Sequence, residues 1–215
     1  MSAGYVPLSE RPHRAHAKLL AAVGEGKRVL DVGCSSGYLA EPLAGLGNTI
    51  VGIELDPAAA RAAEAFCERV HVGDVETMEL PLDPGSFDVV LCGDVVEHLR
   101  DPVGALARLR PFLKPGGRLV LSTPNVANWA VRASLLAGRW RYTDRGILDR
   151  SHTHLFTRAT LREAVERAGY RVDQIDFSVP VPGDSDRLDA LARAVGRLRP
   201  GLFAYQFVLV AHTAP

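Results

Sequence analysis

The sequence predicts an α/β fold built on a doubly wound parallel sheet, and three observations carry that prediction. Short apolar runs of β-type composition alternate with helical patterns along most of the chain, which is the rhythm of βαβ units joined by right-handed crossovers. One such run, in VLDVGCSSGYLA from Val29 to Ala40, breaks after Asp31 into a small-residue loop holding Gly33, Cys34, Ser35, Ser36 and Gly37, then resumes as helix. Acids recur just past strand ends, at Glu54, Asp74 and Asp94, where open α/β sheets bind their ligands.

Taken in order, Ser9 to Val23 reads as a helix capped by Ser9 and closed by Gly24 and Gly26, so that residues 1–26 form a helical cover over the ligand. His13 and His16 lie on it three residues apart with no carboxylate or third ligand nearby, and read as surface histidines. The glycine loop follows the first strand. Backbone approaches a ligand most closely where no Cβ intervenes, a sharp turn often demands positive φ, and the amides of a helix start face whatever binds. Without the strict G-x-G-x-x-G spacing, the loop alone points to ligand binding in general.

Tyr38 to Leu46 reads as helix, bent or shortened by Pro42. Thr49 to Glu54 is a buried strand ending in an acid, and Asp56-Pro57 caps a helix from Ala58 to Cys67. Such an acid can accept both hydroxyls of a ribose. Arg69 to Val72 is a short third strand followed by Asp74, and Phe87 to Cys92 a fourth, apolar as a central parallel strand should be. After Gly93 to Leu99 comes a helix capped at Asp101-Pro102 and running to about Phe112, a turn at 114–117, and a fifth strand from Arg118 to Ser122. Residues 123–158 break the rhythm and read as an inserted lid; Thr157 then caps a helix to Ala168, followed by a strand from Tyr170 to Val179, a helix from Arg187 to Leu198 and a closing strand from Leu202 to His212.

The chain of 215 residues fits a single domain, 1–215, with 47% hydrophobic and 23% charged residues. Lys+Arg 25 against Asp+Glu 25 leaves no net field to draw in a polyanion, so nucleic acid is not the expected partner. The first residues lack a signal-peptide core and no apolar stretch is long enough for a bilayer, which leads to the expectation of a cytoplasmic protein without a membrane partner. Cys34, Cys67 and Cys92 form no C-x-x-C pair and no disulfide framework.

With these stations placed, the chain resembles the class I S-adenosylmethionine-dependent methyltransferases over nearly its whole length. VLDVGCSSGYLA is similar to the family's cofactor loop, VGIELDP to its acidic second-strand end, GDVETM to its adenine-side acid, FDVVLCGDVVEHLRDP to its fourth strand and LKPGGRLVLSTPN to its fifth. Ser35 stands where the family's loop has its middle glycine. The resemblance implies a Rossmann-like sheet of seven strands with the last antiparallel, and S-adenosylmethionine as cofactor. It implies that Asp31, Gly33, Cys34, Ser35 and Gly37 lie on the methionine side, that Glu54, with Leu55, holds the ribose, that Asp74 and Val75 contact the adenine, and that Gly93 offers backbone near the methyl donor.

Asp94, Glu97 and His98 sit at i, i+3, i+4, on one face if that segment is helical, and two carboxylates with an imidazole make half of a divalent-metal site for Mg2+ or Mn2+. His152 and His154 alternate, so in an extended segment they would point the same way and one of them could complete it. The arrangement is similar to the E-x-x-E-H motif with a distant histidine in metal-dependent small-RNA 2′-O-methyltransferases, and its acidic-x-x-E-H part to ubiquinone-pathway O-methyltransferases. Without metal, Asp94 and Glu97 can instead form a capping-box-like pair, and His98 or His154 is the general base, with Asp94 a further catalytic candidate.

On the lid, Trp140, Tyr142, Arg145 and Phe156, with Asn125 at its root, suit stacking on a ring and pairing with an anion. The expected activity is O-methylation of a small hydroxylated metabolite, with a sugar or glycoside suggested by similar lids in saccharide-pathway methyltransferases. The alternatives are 2′-O-methylation of an RNA terminus, metal-free methylation of a phenol or amine, and a catalytically inactive cofactor-binding partner subunit. The apolar run 126–136 can bury itself on a second subunit, as a homodimer, or on its own domain.

Overall fold

A computed structural model of the chain describes residues 15–179, 190 and 194–214. Its strands are β1 (Arg28–Val32), β2 (Thr49–Glu54), β3 (Arg69–Val72), β4 (Phe87–Gly93), β5 (Leu113–Pro124), β6 (Tyr170–Ser178) and β7 (Gln206–Thr213). They form one seven-stranded sheet in the order β3-β2-β1-β4-β5-β7-β6. The first five pair in parallel, and β7 runs antiparallel between β5 and β6, as the resemblance implies. The order reverses direction between β1 and β4, so loops leaving those two strands splay apart and open a crevice at their carboxyl ends.

Helices cover both faces: α1 (Ala15–Val23), α2 (Ala40–Gly45), α3 (Pro57–Ala63), α4 (Pro102–Leu109), α5 (Trp129–Leu136), α6 (Arg158–Arg167) and a short α7 (Pro200–Phe203). Leu19, Val23, Leu39 and Leu43 pack with Val29, Ile50, Val89 and Leu91 on one face. Leu106, Leu109, Leu161 and Val165 pack with Leu30, Val90, Leu119 and Leu121 on the other. Adjacent residues of β1, β4 and β5 thus serve opposite faces, and both faces being apolar explains why these strands read as continuous hydrophobic runs.

The caps form as the sequence requires. Asp56 accepts from Ala58 N at 2.8 Å and Asp101 from Gly104 N at 2.9 Å, each followed by a proline in the first turn, where no amide is needed. Thr157 and Thr160 form a reciprocal capping box. Pro42 shortens α2, which begins at Ala40 rather than Tyr38, so that the proline falls in the first turn. The expected turn at 114–117 is a bulge within a longer β5, with register jumping from Phe87↔Leu113 to Val89↔Arg118. The closing strand starts at Gln206 because Pro200 initiates a helical turn first. The N-terminal helix is seen from Ala15, its expected start at Ser9 and His13 lying outside the described residues; of the expected helix 187–198, residues 194–198 are helical and the described part includes residue 190.

In α5, Val131 is buried while Trp129, Leu135 and Leu136 are exposed, so the helix packs on its own domain over little area. No helix among the described residues is long and apolar enough to cross a membrane.

Candidate active site

A cleft of about 470 Å³ opens at the carboxyl edge of β1, β2, β3 and β4. Gly33, Ser35, Glu54, Leu55, Asp74, Val75 and Gly93 line it, which brings together seven of the ten residues expected at a cofactor. The other three lie behind its wall. Gly37 packs against α3, where a Cβ would meet Phe66 at 2.8 Å; Cys34 is buried with its Sγ where a Cβ on Gly52 would stand; Asp31 is 1% exposed beneath the loop. Gly33, at φ +69°, leaves room for Val95, whose Cγ2 would stand 2.6 Å from an added Cβ. Ser35 adopts φ 50°, the left-handed region that a glycine occupies without penalty.

Glu54 is the hub of this side. Its Oε2 accepts from Ser35 N and its Oε1 from Asp56 N, both at 2.8 Å, so one carboxylate fixes the loop after β1 and the turn after β2. Each oxygen keeps a lone pair for another donor. Asp74 Oδ1 accepts from Glu76 N at 2.9 Å, and Glu76 accepts from Arg100 N and Asp101 N, tying the β3 loop to the start of α4. Four carboxylates line the cleft, Glu54, Asp74, Glu76 and Asp94, against one guanidinium, Arg100. Burial, with the nearby Glu54 charge adding to it, pushes Asp31 up to about 8, and its Oδ2 has no hydrogen-bond partner.

Beyond β4 the structure departs from a helical reading. Asp94 has φ 56°, and residues 94–98 form a bend and a turn rather than a helix. The left-handed step turns Asp94 back to the sheet, where Oδ1 accepts from Ser122 Oγ at 2.7 Å and from Gln206 Nε2. Asp94 therefore neither caps a helix with Glu97 nor joins a metal cluster. Glu97, 1% exposed, has both carboxyl oxygens without a hydrogen-bond partner, and burial, then the Asp94 charge, holds its carboxyl well above the usual range.

The segment 147–154 returns across this turn. Thr153 N and His154 N both donate to the Glu97 carbonyl, at 2.8 and 3.0 Å, and Thr153 Oγ1 donates to Leu99 O at 2.6 Å. Two successive amides converging on one carbonyl require a bend, so His152 and His154 do not alternate toward one site. His152 packs edge-on against His98, centroids 4.8 Å apart. Glu97, His98 and His152 bring three ligand atoms within 4.8 Å of one another. Both imidazoles donate Nδ1–H to backbone, His98 to Ser151 O at 3.2 Å and His152 to Ile147 O at 3.1 Å, which leaves both Nε2 lone pairs free. His154 instead bonds Leu99 O at 2.9 Å, stacks on Phe156 and lines a second cleft with Arg100 and Arg167.

The expected substrate residues divide similarly. Asn125 is fully buried, donating to Gly201 O and Ala204 O and accepting from Ala127 N, so its amide is committed to tying the end of β5 to the turn before β7. Phe156 is buried in the core beside His154. Trp140 and Tyr142 form an exposed edge-to-face pair at 6.1 Å, and Arg145 is exposed; none of the three lines the cofactor cleft. Sequence reasoning missed Tyr38, Glu76, Val95 and Arg100 in the cleft, and His16, which is half-buried rather than on the surface. The signal for His16 was positional: a helix running into β1 starts at the carboxyl edge.

Comparison with known proteins gives three findings. A family model described as "Methyltransferase domain" matches residues 7–175. The ubiquinone biosynthesis O-methyltransferase of Cereibacter sphaeroides is 33% identical over 158 residues, 71% of this chain and 62% of that protein; the one from Acinetobacter baylyi is 35% identical over 106 residues, 46% and 44%. The chain thus spans less than two thirds of the length of these curated relatives. The solved structure of an S-adenosylmethionine-dependent methyltransferase from Archaeoglobus fulgidus covers 91% of each chain with a TM-score of 0.65 at 20% identity, a likeness of fold.

Proposed function

The chain belongs to the methyltransferase-domain family, and from that premise we propose that it transfers the methyl group of S-adenosylmethionine to a hydroxyl of a small molecule. The observation that carries this reading is the continuity of the carboxyl edge. An acid-lined cleft with a two-oxygen anchor at Glu54 runs directly into a buried, unpaired carboxyl flanked by two oriented imidazoles.

The residues present fit the cofactor. Glu54 retains acceptor capacity for a ribose diol, and a wall carrying four carboxylates suits a cationic ligand. The bound cofactor supplies a methyl group on a sulfonium, whose in-line displacement needs alignment and deprotonation of the acceptor more than further activation. The protein's share is then to hold the loop through Glu54, to keep backbone rather than side chain at Gly93, and to accept a proton.

Glu97, His98 and His152 fit a divalent cation. Two neutral imidazoles converge there with a carboxyl that becomes an anionic ligand when a cation displaces its proton, and its orphaned oxygens gain a partner. Such a cation would acidify a weakly acidic hydroxyl and favour acceptors with two adjacent oxygens, whether a sugar diol or a catechol. The names of the curated relatives support the hydroxyl acceptor.

The test is transfer of label from methyl-labelled S-adenosylmethionine by the full chain, with and without Mn2+, to catechol, methyl glucoside and phenol. The expected result is an O-methyl product, formed faster with Mn2+ for the two vicinal diols. Binding of S-adenosylhomocysteine with no transfer to any acceptor would favour a non-catalytic partner subunit.

A further inference from the structure

α1 runs opposite to β1, so its first turn stands at the carboxyl edge of the sheet. Leu19 Cδ1 lies 3.5 Å from where a Cβ on Gly93 would stand, and His16 is one turn earlier on the same face of the helix. The His16 ring packs against Tyr38, centroids 5.5 Å apart and planes at 58°. Tyr38 lines the cleft, and its Oη donates to Gly93 O at 3.4 Å. Gly93 is followed by Asp94, whose charge acts on His16 and whose carboxylate is held in place by Ser122 and Gln206. A half-buried imidazole thus stands beside Tyr38 at the strand end expected to face the methyl donor, within the field of an anchored carboxylate.

We propose that His16 is the catalytic general base, taking the acceptor's hydroxyl proton, with the fixed charge of Asp94 favouring the imidazolium that forms. This rests on the reading of a hydroxyl acceptor given above. As the acceptor oxygen attacks, the O–CH3 bond forms and the C–S bond breaks, its electron pair staying on sulfur to give a neutral thioether. The O–H bond breaks, and its proton passes to the imidazole and then to solvent.

The surroundings keep the ring in the accepting form. Burial lowers its pKa and Asp94 partly offsets that, with a net downward shift. Among the described residues, the groups that act on it are Asp94 from the turn after β4 and Tyr38 from the glycine loop, with the neutral Gln206 of β7 bonded to Asp94. Lys18, two residues on, is turned to Asp176 of β6.

Two measurements on the full chain test the proposal. With catechol as acceptor, His16→Gln is expected to lower kcat about a hundredfold, the scale of a lost general base, with KM for S-adenosylmethionine unchanged and the acid limb of the pH–rate profile gone. Added imidazole should restore part of the rate in His16→Ala. A variant within threefold of wild type that keeps the acid limb would overturn the proposal. In parallel, NMR titration of the His16 ring in the protein saturated with S-adenosylhomocysteine should show a lower midpoint in Asp94→Asn; an unmoved midpoint would also overturn it. If the wild type methylates no acceptor, the hydroxyl reading fails while the titration still decides the His16–Asp94 pairing.

Discussion

The two sides of the carboxyl edge are finished to different degrees. Around β1, β2 and β3 the carboxylates that line the cleft are engaged by amides of adjoining loops, Glu54 by Ser35 and Asp56, Asp74 by Glu76, Glu76 by Arg100 and Asp101, and only Asp31 behind the wall keeps an oxygen without a partner among the described residues. Around β4 and β5, Asp94 occupies left-handed backbone, and Glu97 keeps two buried oxygens without partners at a cost of about 1–3 kcal/mol each. Its companions His98 and His152 arrive from segments 54 residues apart. The cleft lining on the first side is held in place by its own backbone amides. The second holds polar groups whose stability depends on something added, the pattern expected where chemistry rather than positioning is done.

The largest break between the sides should come from the cation. Glu97→Gln is expected to weaken Mn2+ binding at least ~100-fold by calorimetry, more than loss of an outer partner costs, because it removes the one anionic ligand. His154→Ala, in the second cleft, should leave Mn2+ binding unchanged. Equal losses in both variants would place the site elsewhere.

Next in size is a pH effect. Asp31 and Glu97 have folded-state pKa values above their unfolded ones, so the folded protein retains protons the unfolded chain has released, and stability falls as pH rises. For Asp31 the window runs from about 4 to about 8. Asp31→Asn should flatten the profile and be more stable than wild type at pH 8 by on the order of 2 kcal/mol in urea denaturation. Smaller still, Ser35→Gly should relieve the left-handed strain and stabilise by ~0.5 kcal/mol, the gain being partly offset by a more flexible unfolded chain.

The same contrast explains what could be read from the sequence. Strand bounds at Thr49–Glu54 and Arg69–Val72, the caps at Asp56, Asp101 and Thr157, and the glycine loop follow from local rules of burial, capping and turn chemistry, and all are found. The acid side was misread where one backbone torsion decides. Nothing in the residue type of Asp94 announces φ 56°, yet that step takes it from the face of Glu97 to Ser122 and Gln206. The divergence of His152 from His154 likewise depends on the Glu97 carbonyl receiving the amides of Thr153 and His154, a contact over more than fifty residues. Asn125 looked like a substrate group because its partners Gly201 and Ala204 lie far along the chain.

The proposed chemistry requires the cleft at the carboxyl edge to bind S-adenosylmethionine through Glu54. Calorimetric titration of S-adenosylhomocysteine into the wild type and Glu54→Ala tests it most directly. The account predicts one site in the wild type and a loss of about a hundredfold or more in the variant, since charge-assisted hydrogen bonds to the ribose and the anchor of the loop vanish together. Equal affinity in the two proteins would contradict it.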